Sequence, residues 1–307
     1  MRQFSINICV IKDCICIKTF ILKNFTLPLF IAALWMISSC NIINPEEEVP
    51  TYIEIDSFIL ETDYVTEGTN SHCITDVWIN IDDNLQGIYE LPVVFPVLAQ
   101  GRHKITIRPG IRVNGISASR EIYPYYTQYI IDTVLTEGQT IEFNPVTAYK
   151  EETIFKWTED FEDPGTSLMS SPTSNVDLVT SGEDAFEGSN SGKIFIDEYQ
   201  DVFKCMTIDS FYLPYDGTPV YLEINYKTNS VLTIGLLINK TTETVSKNVI
   251  YLNPTTDWNK ICIELTDFIT YNWDEFVMHY RLYFAAMNND EGKDVEIYID
   301  NIKLVHR

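Results

Sequence analysis

The chain has 307 residues, enough for two ordinary domains, and carries 44 acidic against 21 basic residues for a formal net charge of −23. A polyanion of that size is repelled by phosphate backbones and anionic headgroups, which excludes nucleic acid as a partner. The acidity serves solubility, and it also supplies carboxylates from which a cation site can be drawn.

Residues 1–24 are apolar, carry Cys9, Cys14 and Cys16, and are broken by Lys12 and Asp13; they read as an over-long leader segment. From Phe25 to Ile37 nothing is charged. That run is too short to cross a bilayer as a helix but fits the core of a signal peptide, with Lys12, Lys18 and Lys23 as its basic flank. Ile37-Ser38-Ser39-Cys40 then resembles the lipobox of bacterial lipoproteins. The resemblance implies a signal peptide over residues 1–39, cleavage before Cys40, and attachment of palmitate-type acyl chains that tie Cys40 to a membrane. A secretory signal that ends in cysteine is the alternative. Residues 40–51 form an acidic tether, since two prolines and Glu46, Glu47 and Glu48 favour an extended, solvated chain. An acid cluster this close to the cysteine resembles the surface-export signal of Bacteroidetes lipoproteins. It implies an outer-membrane protein facing outward; plain extension of the tether explains the glutamates equally well.

From Tyr52 the pattern turns to period two, the mark of half-buried strands. Tyr52-Ile53-Glu54-Ile55 and Val77-Trp78-Ile79-Asn80-Ile81 alternate, and a further strand is expected from His103 to Arg108. Asp83-Asn84, Gln86-Gly87, Gln100-Gly101, Pro109-Gly110 and Asn114-Gly115 carry turn chemistry. Residues 52–148 are thus expected to be an all-β domain, a small sandwich. Its strand, Asp-Asp-Asn turn, Gly87, proline-bearing segment, Gly101 and His103-Lys104-Ile105-Thr106-Ile107 are similar to PEGA-type and related Ig-like surface domains. That resemblance covers about residues 77–110, implies a spacer or protein-contact module, and makes His103 structural. Tyr123, Tyr125, Tyr126 and Tyr129 form an aromatic cluster suited to core packing, with ligand stacking as the other use.

Asn144-Pro145 and Lys150-Glu151-Glu152 mark the expected hinge. Beyond it, residues 153–307 hold longer strands. In one of them Leu222, Ile224 and Tyr226 share a face, while Tyr221, Glu223 and Asn225 share the other. A short helical turn is expected near 265–269. The succession predicts a sandwich of two antiparallel sheets. Asp160-Phe161-Glu162, the Gly188–Gly192 segment, Asp257-Trp258 and the closing Asp300-Asn301-Ile302 resemble, in that order, the galactose-binding-like jelly rolls, many of them non-catalytic carbohydrate-binding modules. The resemblance implies a structural Ca2+ held by Glu162 and Asp300 with Asp160 in reserve; strand capping is the other role open to these acids. Trp273 and Tyr271, set among polar residues, are the expected ligand-binding aromatics, and Trp258 is read as structural.

Cys73, Cys205 and Cys262 follow Cys40 at wide spacing, without a CxxC pair, so no zinc or thioredoxin-like site is expected. Free or half-buried thiols are the expectation for these three, with a Cys205–Cys262 pair as the alternative in an oxidising compartment. Neither HExxH, a phosphate loop nor a G-x-S-x-G elbow occurs, and the segment from Gly188 to Gly192 reads GSNSG. The expectation is a lipid-anchored, non-enzymatic envelope protein that binds extracellular glycan. The alternative is a structural or assembly lipoprotein that contacts other envelope proteins and binds no sugar.

Overall fold

Alternation at the start of the tethered body puts Ile53 and Ile55 at zero exposure, and the strand they define is β1 (Thr51–Ile55). The computed structural model describes residues 47–288 and 293–307; Cys40, the signal segment and Glu46 lie outside them. After β1 come β2 (Ile59–Glu61), a single helical turn α1 (Tyr64–Glu67), β3 (Ile74–Ile81), β4 (Asn84–Glu90) and β5 (Val93–Val97). The first body closes with β6 (Gly101–Arg112), β7 (Arg120–Ile122), β8 (Tyr129–Leu135), β9 (Thr140–Phe143) and β10 (Val146–Ala148). Its main sheet runs β4-β3-β6, and β6 then pairs with β8 along its first half and β7 along its last residues. A smaller sheet, β5-β1-β9, contains a parallel pair, as does β2-β10.

Pro109-Gly110 does not reverse the chain as expected; both residues lie within β6, opposite Val77 and Asp76. Pro109 carbonyl oxygen accepts from Tyr123 N–H, so its missing donor points to the same side, where β8 has ended and β7 has barely begun. The true reversal is at Val113–Gly115, with Asn114 and Gly115 at φ of 57° and 70°.

The second body is β11 (Ile154–Glu159), β12 (Leu168–Ser170), β13 (Val179–Ser181), β14 (Ser191–Ile196), β15 (Val202–Thr207) and β16 (Val220–Thr228). It continues through β17 (Leu232–Lys240), β18 (Thr244–Leu252), β19 (Thr255–Glu264), α2 (Thr266–Asn272), β20 (Val277–Met287) and β21 (Val295–His306). Two antiparallel sheets face each other: β13-β14-β21-β16-β19, with β11 also on β21, and β12-β15-β20-β17-β18. The core between them takes Leu222, Ile224 and Tyr226 from one sheet and Ile234, Leu236, Leu282 and Phe284 from the other. The protein is all-β, apart from two short helices and one 3-10 turn among the described residues, and no helix there is long and apolar enough to cross a membrane.

Residues Pro50–Arg307 form one compact unit. The outward side of β16 is buried as completely as the inward one, because the first body covers it. Tyr221, Cys262 and Val305 belong to the same core cluster as Tyr123, Tyr125, Tyr126 and Tyr149. The tyrosine cluster is therefore packing, and at the expected hinge Lys150 Nζ donates to Pro124 carbonyl oxygen at 2.6 Å. Cys262 pairs with Cys73 across this junction, not with Cys205, which stays buried and free.

Candidate functional site

With one sheet of the second body covered by the first, the opposite sheet is the one whose outer side meets solvent: Met169, Ser246, Asn248, Tyr251 and Met287 on it are exposed. Strand alternation on β20 puts Leu282 and Phe284 in the core and turns His279, Arg281 and Tyr283 outward. Register then builds three rows across the face: Tyr283, Gly235 and Asn248; Arg281, Leu237 and Ser246; His279, Asn239 and Thr244.

Each row has its own chemistry. The Tyr283 ring lies across Gly235, where any Cβ would overlap it, and the phenol is donated to Asn248 Oδ1. Asn248 Nδ2 donates onward to the hydroxyl of Tyr251, which is 59% exposed. Lys204 Nζ sits 4.3 Å from the centroid of the Tyr283 ring, and burial pushes the Tyr283 phenol pKa upward. In the next row, Arg281 Nε has no hydrogen-bond partner, and no carboxylate among the described residues pairs with its guanidinium. Asn239 Nδ2 is likewise unpartnered, although its Oδ1 accepts from Thr244.

At the His279 end the face runs into aromatics. The Phe211–Tyr280 bridge sets Tyr212 edge-on to His279, with Tyr212 72% exposed. Trp273, just after α2, stacks on Tyr215 at 4.0 Å between centroids and 7° between planes. Tyr271 is 89% exposed. An ion pair from Lys240 to Asp274 braces the loop, and that hydrogen bond holds the Asp274 carboxyl below its usual range. The two aromatics expected from sequence thus lie at one end of the open face. Tyr212, Tyr215, Arg281 and Tyr283 were not singled out from the sequence; the first two come from a loop more than fifty positions upstream of Trp273.

The acids expected to hold Ca2+ take backbone partners in the structure. Glu162 Oε1 accepts from the backbone N–H of Ser189 and Asn190, both at 2.8 Å. Asp300 Oδ2 accepts from Phe186 and Glu187, and its Oδ1 from Asn301. Asp160 turns to the Glu162 N–H and the Tyr64 hydroxyl. The intervening loop therefore offers N–H groups where a cation needs oxygens, and no group of three or more His, Cys, Asp or Glu among the described residues is arranged to hold a metal. The donor set does not fit calcium. Trp258, read as structural, donates its Nε1 to Asp184 at 2.8 Å and meets Phe186 edge-on.

No family model matches the chain, and no curated protein matches it in sequence. Among solved structures, the CBM22-1 xylan-binding domain from Paenibacillus barcinonensis Xyn10C is similar at 12% identity and a TM-score of 0.37, over 50% of this chain and 94% of that one. The family 11 carbohydrate-binding module of the Clostridium thermocellum cellulase Lic26A-Cel5E is similar at 12% identity and 0.34, over 48% and 92%. The enzymatically active domain of bacteriophage CBA120 tailspike protein 4 is similar at 11% and 0.36, over 48% of this chain and 20% of that one. Likeness of this size, shared by binding modules and an enzyme alike, fixes neither ligand nor activity.

Proposed function

We propose that the protein is a non-catalytic glycan-binding protein of the bacterial envelope, anchored by lipid at Cys40 and displayed at the outer-membrane surface. The observation that carries the glycan reading is the open outer face of β15-β20-β17-β18. It offers the outward-turned Arg281, amide and hydroxyl groups on Asn248 and Tyr251, and a Tyr215–Trp273 stack at its end. A saccharide has the complementary chemistry: hydroxyls that accept and donate, and flat C–H faces that lie on aromatic rings. The face is open, as an extended chain requires. Among its described residues no nucleophile is hydrogen-bonded to a base.

The test is affinity electrophoresis of the protein in gels containing soluble plant, fungal and bacterial polysaccharides, followed by a glycan array. At least one polysaccharide is expected to retard the protein, with affinity falling about tenfold or more in Trp273→Ala and in Arg281→Ala. Migration unchanged by every polysaccharide, together with recovery of a crosslinked protein partner, would replace this reading with the structural or assembly lipoprotein.

A further inference from the structure

A second concavity lies away from the open face, at the junction of the two bodies. It has a volume of about 490 Å³, well within the range of ligand pockets. The first body contributes Tyr64 and Thr66 of α1; the second contributes Asp160, Asp163, Asn301 and Lys303. Tyr64 hydroxyl and Asp160 Oδ2 meet at 3.4 Å, so the two bodies touch across it.

Two features set this cleft apart from an ordinary seam. Asn301 is 4% exposed, its Nδ2 has no hydrogen-bond partner, and its backbone sits at a φ of 48°, in the left-handed region. Here the strand β21 passes from β14 on one part of its edge to β11 on the next, and residue 301 falls in the gap between them. Lys303, 1% exposed, holds the floor by donating to Thr69 carbonyl oxygen at 2.6 Å and to the Tyr149 hydroxyl at 3.2 Å.

The lining narrows what fits. Hydroxyls, an amide and charges exclude an apolar ligand. The carboxylates of Asp160 and Asp163 oppose an anion, and the Lys303 ammonium in the floor opposes a simple cation. A neutral polyol suits this lining, because its hydroxyls donate to the carboxylates while accepting from the Asn301 amide. The half-exposed Tyr64 ring supplies a wall for a C–H face. We infer that the cleft is a second saccharide site that takes the end of a glycan chain, while the open face takes chain interiors. The assignment rests on the glycan reading above for its ligand class, but the two sites fail separately.

Saturation-transfer NMR on the full protein with glucose, xylose, mannose, galactose and N-acetylglucosamine, each alone, tests the cleft. At least one sugar is expected to show transfer that Tyr64→Ala or Asp163→Ala weakens about tenfold, and that Trp273→Ala leaves unchanged. Tyr64 and Asp163 are exposed, so both variants keep the fold, and circular dichroism checks it. The inference is overturned if none of the five sugars shows transfer, if transfer survives both cleft substitutions, or if it is lost in Trp273→Ala instead. Retention of polysaccharide without monosaccharide transfer sinks the cleft alone; the reverse result sinks the open face alone.

Discussion

Asp300 shows what a single buried carboxylate does in this fold. Three backbone N–H groups reach it, yet burial, with help from the Glu162 charge, still lifts its pKa to about 7. In the unfolded chain the value is about 4, so between pH ~4 and ~7 the folded state binds the proton more tightly. Stability contributed by the protonated form is therefore full below that window and is lost as pH rises through it. Asp300→Asn keeps an acceptor for the N–H groups and removes the charge. Denaturant titration should show wild type losing stability relative to Asp300→Asn from pH 4 to pH 7; parallel profiles would refute the burial account. Because the loop turns N–H groups toward Glu162 and Asp300, added calcium or EDTA should leave Tm within about 1 °C, less than a ΔΔG of 1 kcal/mol would produce. A calcium-dependent rise of several degrees would restore the expected ligand set. At this scale the sequence showed which acids meet around one loop, but not which way the loop's peptide groups point.

Strands were the most legible level, because parity is a local property. Leu222, Ile224 and Tyr226 against Tyr221, Glu223 and Asn225 could be read directly, and the structure keeps both sets. The open face could not be read in that way. β17 has apolar residues on both sides, Leu236 inward and Leu237 outward, and its register against β18 shifts between Ile234 and Gly235. No alternation rule marks Gly235 as the floor beneath Tyr283. The pairing makes Gly235→Ala informative: the new Cβ collides with the ring and with Lys247 carbonyl oxygen. Overpacking of this kind costs about 1–3 kcal/mol. Thermal melts should show that loss, and the displaced ring should break the Tyr283–Asn248–Tyr251 relay and weaken polysaccharide retention. Unchanged stability and retention would mean that Tyr283 is not fixed by the glycine.

What joins the two bodies was invisible in the chain, since its parts are scattered in sequence. Glu223, fully buried, accepts from the hydroxyls of Tyr123 and Tyr149 and lies 4.0 Å from Lys260 Nζ. Burial, only partly offset by Glu223, brings the Lys260 pKa down to about 8. Removing one partner of such a group strands the other, so Glu223→Ala should cost about 3–5 kcal/mol in denaturant titrations. Beside it the Cys73–Cys262 bond closes a separation of 189 residues. Wide spacing gave no hint of that pairing, which needs the junction to bring the two α-carbons to 6.1 Å.

A loop of that length corresponds to about 5 kcal/mol in the chain-entropy account of crosslinks. Each body has its own core, one between the sheets of the sandwich and one centred on Ile79, Ile105 and Ile107. With the bond intact, the buried junction and the covalent tie oblige both cores to melt together. Without it, only the junction couples them, and its buried charges are poor glue once water can reach them. Calorimetry should therefore give one transition for the wild type. The Cys73→Ser/Cys262→Ser protein should melt lower and resolve into two transitions, the first lost further on adding Glu223→Ala. A single transition at an unchanged midpoint would show that packing alone makes the two bodies one unit.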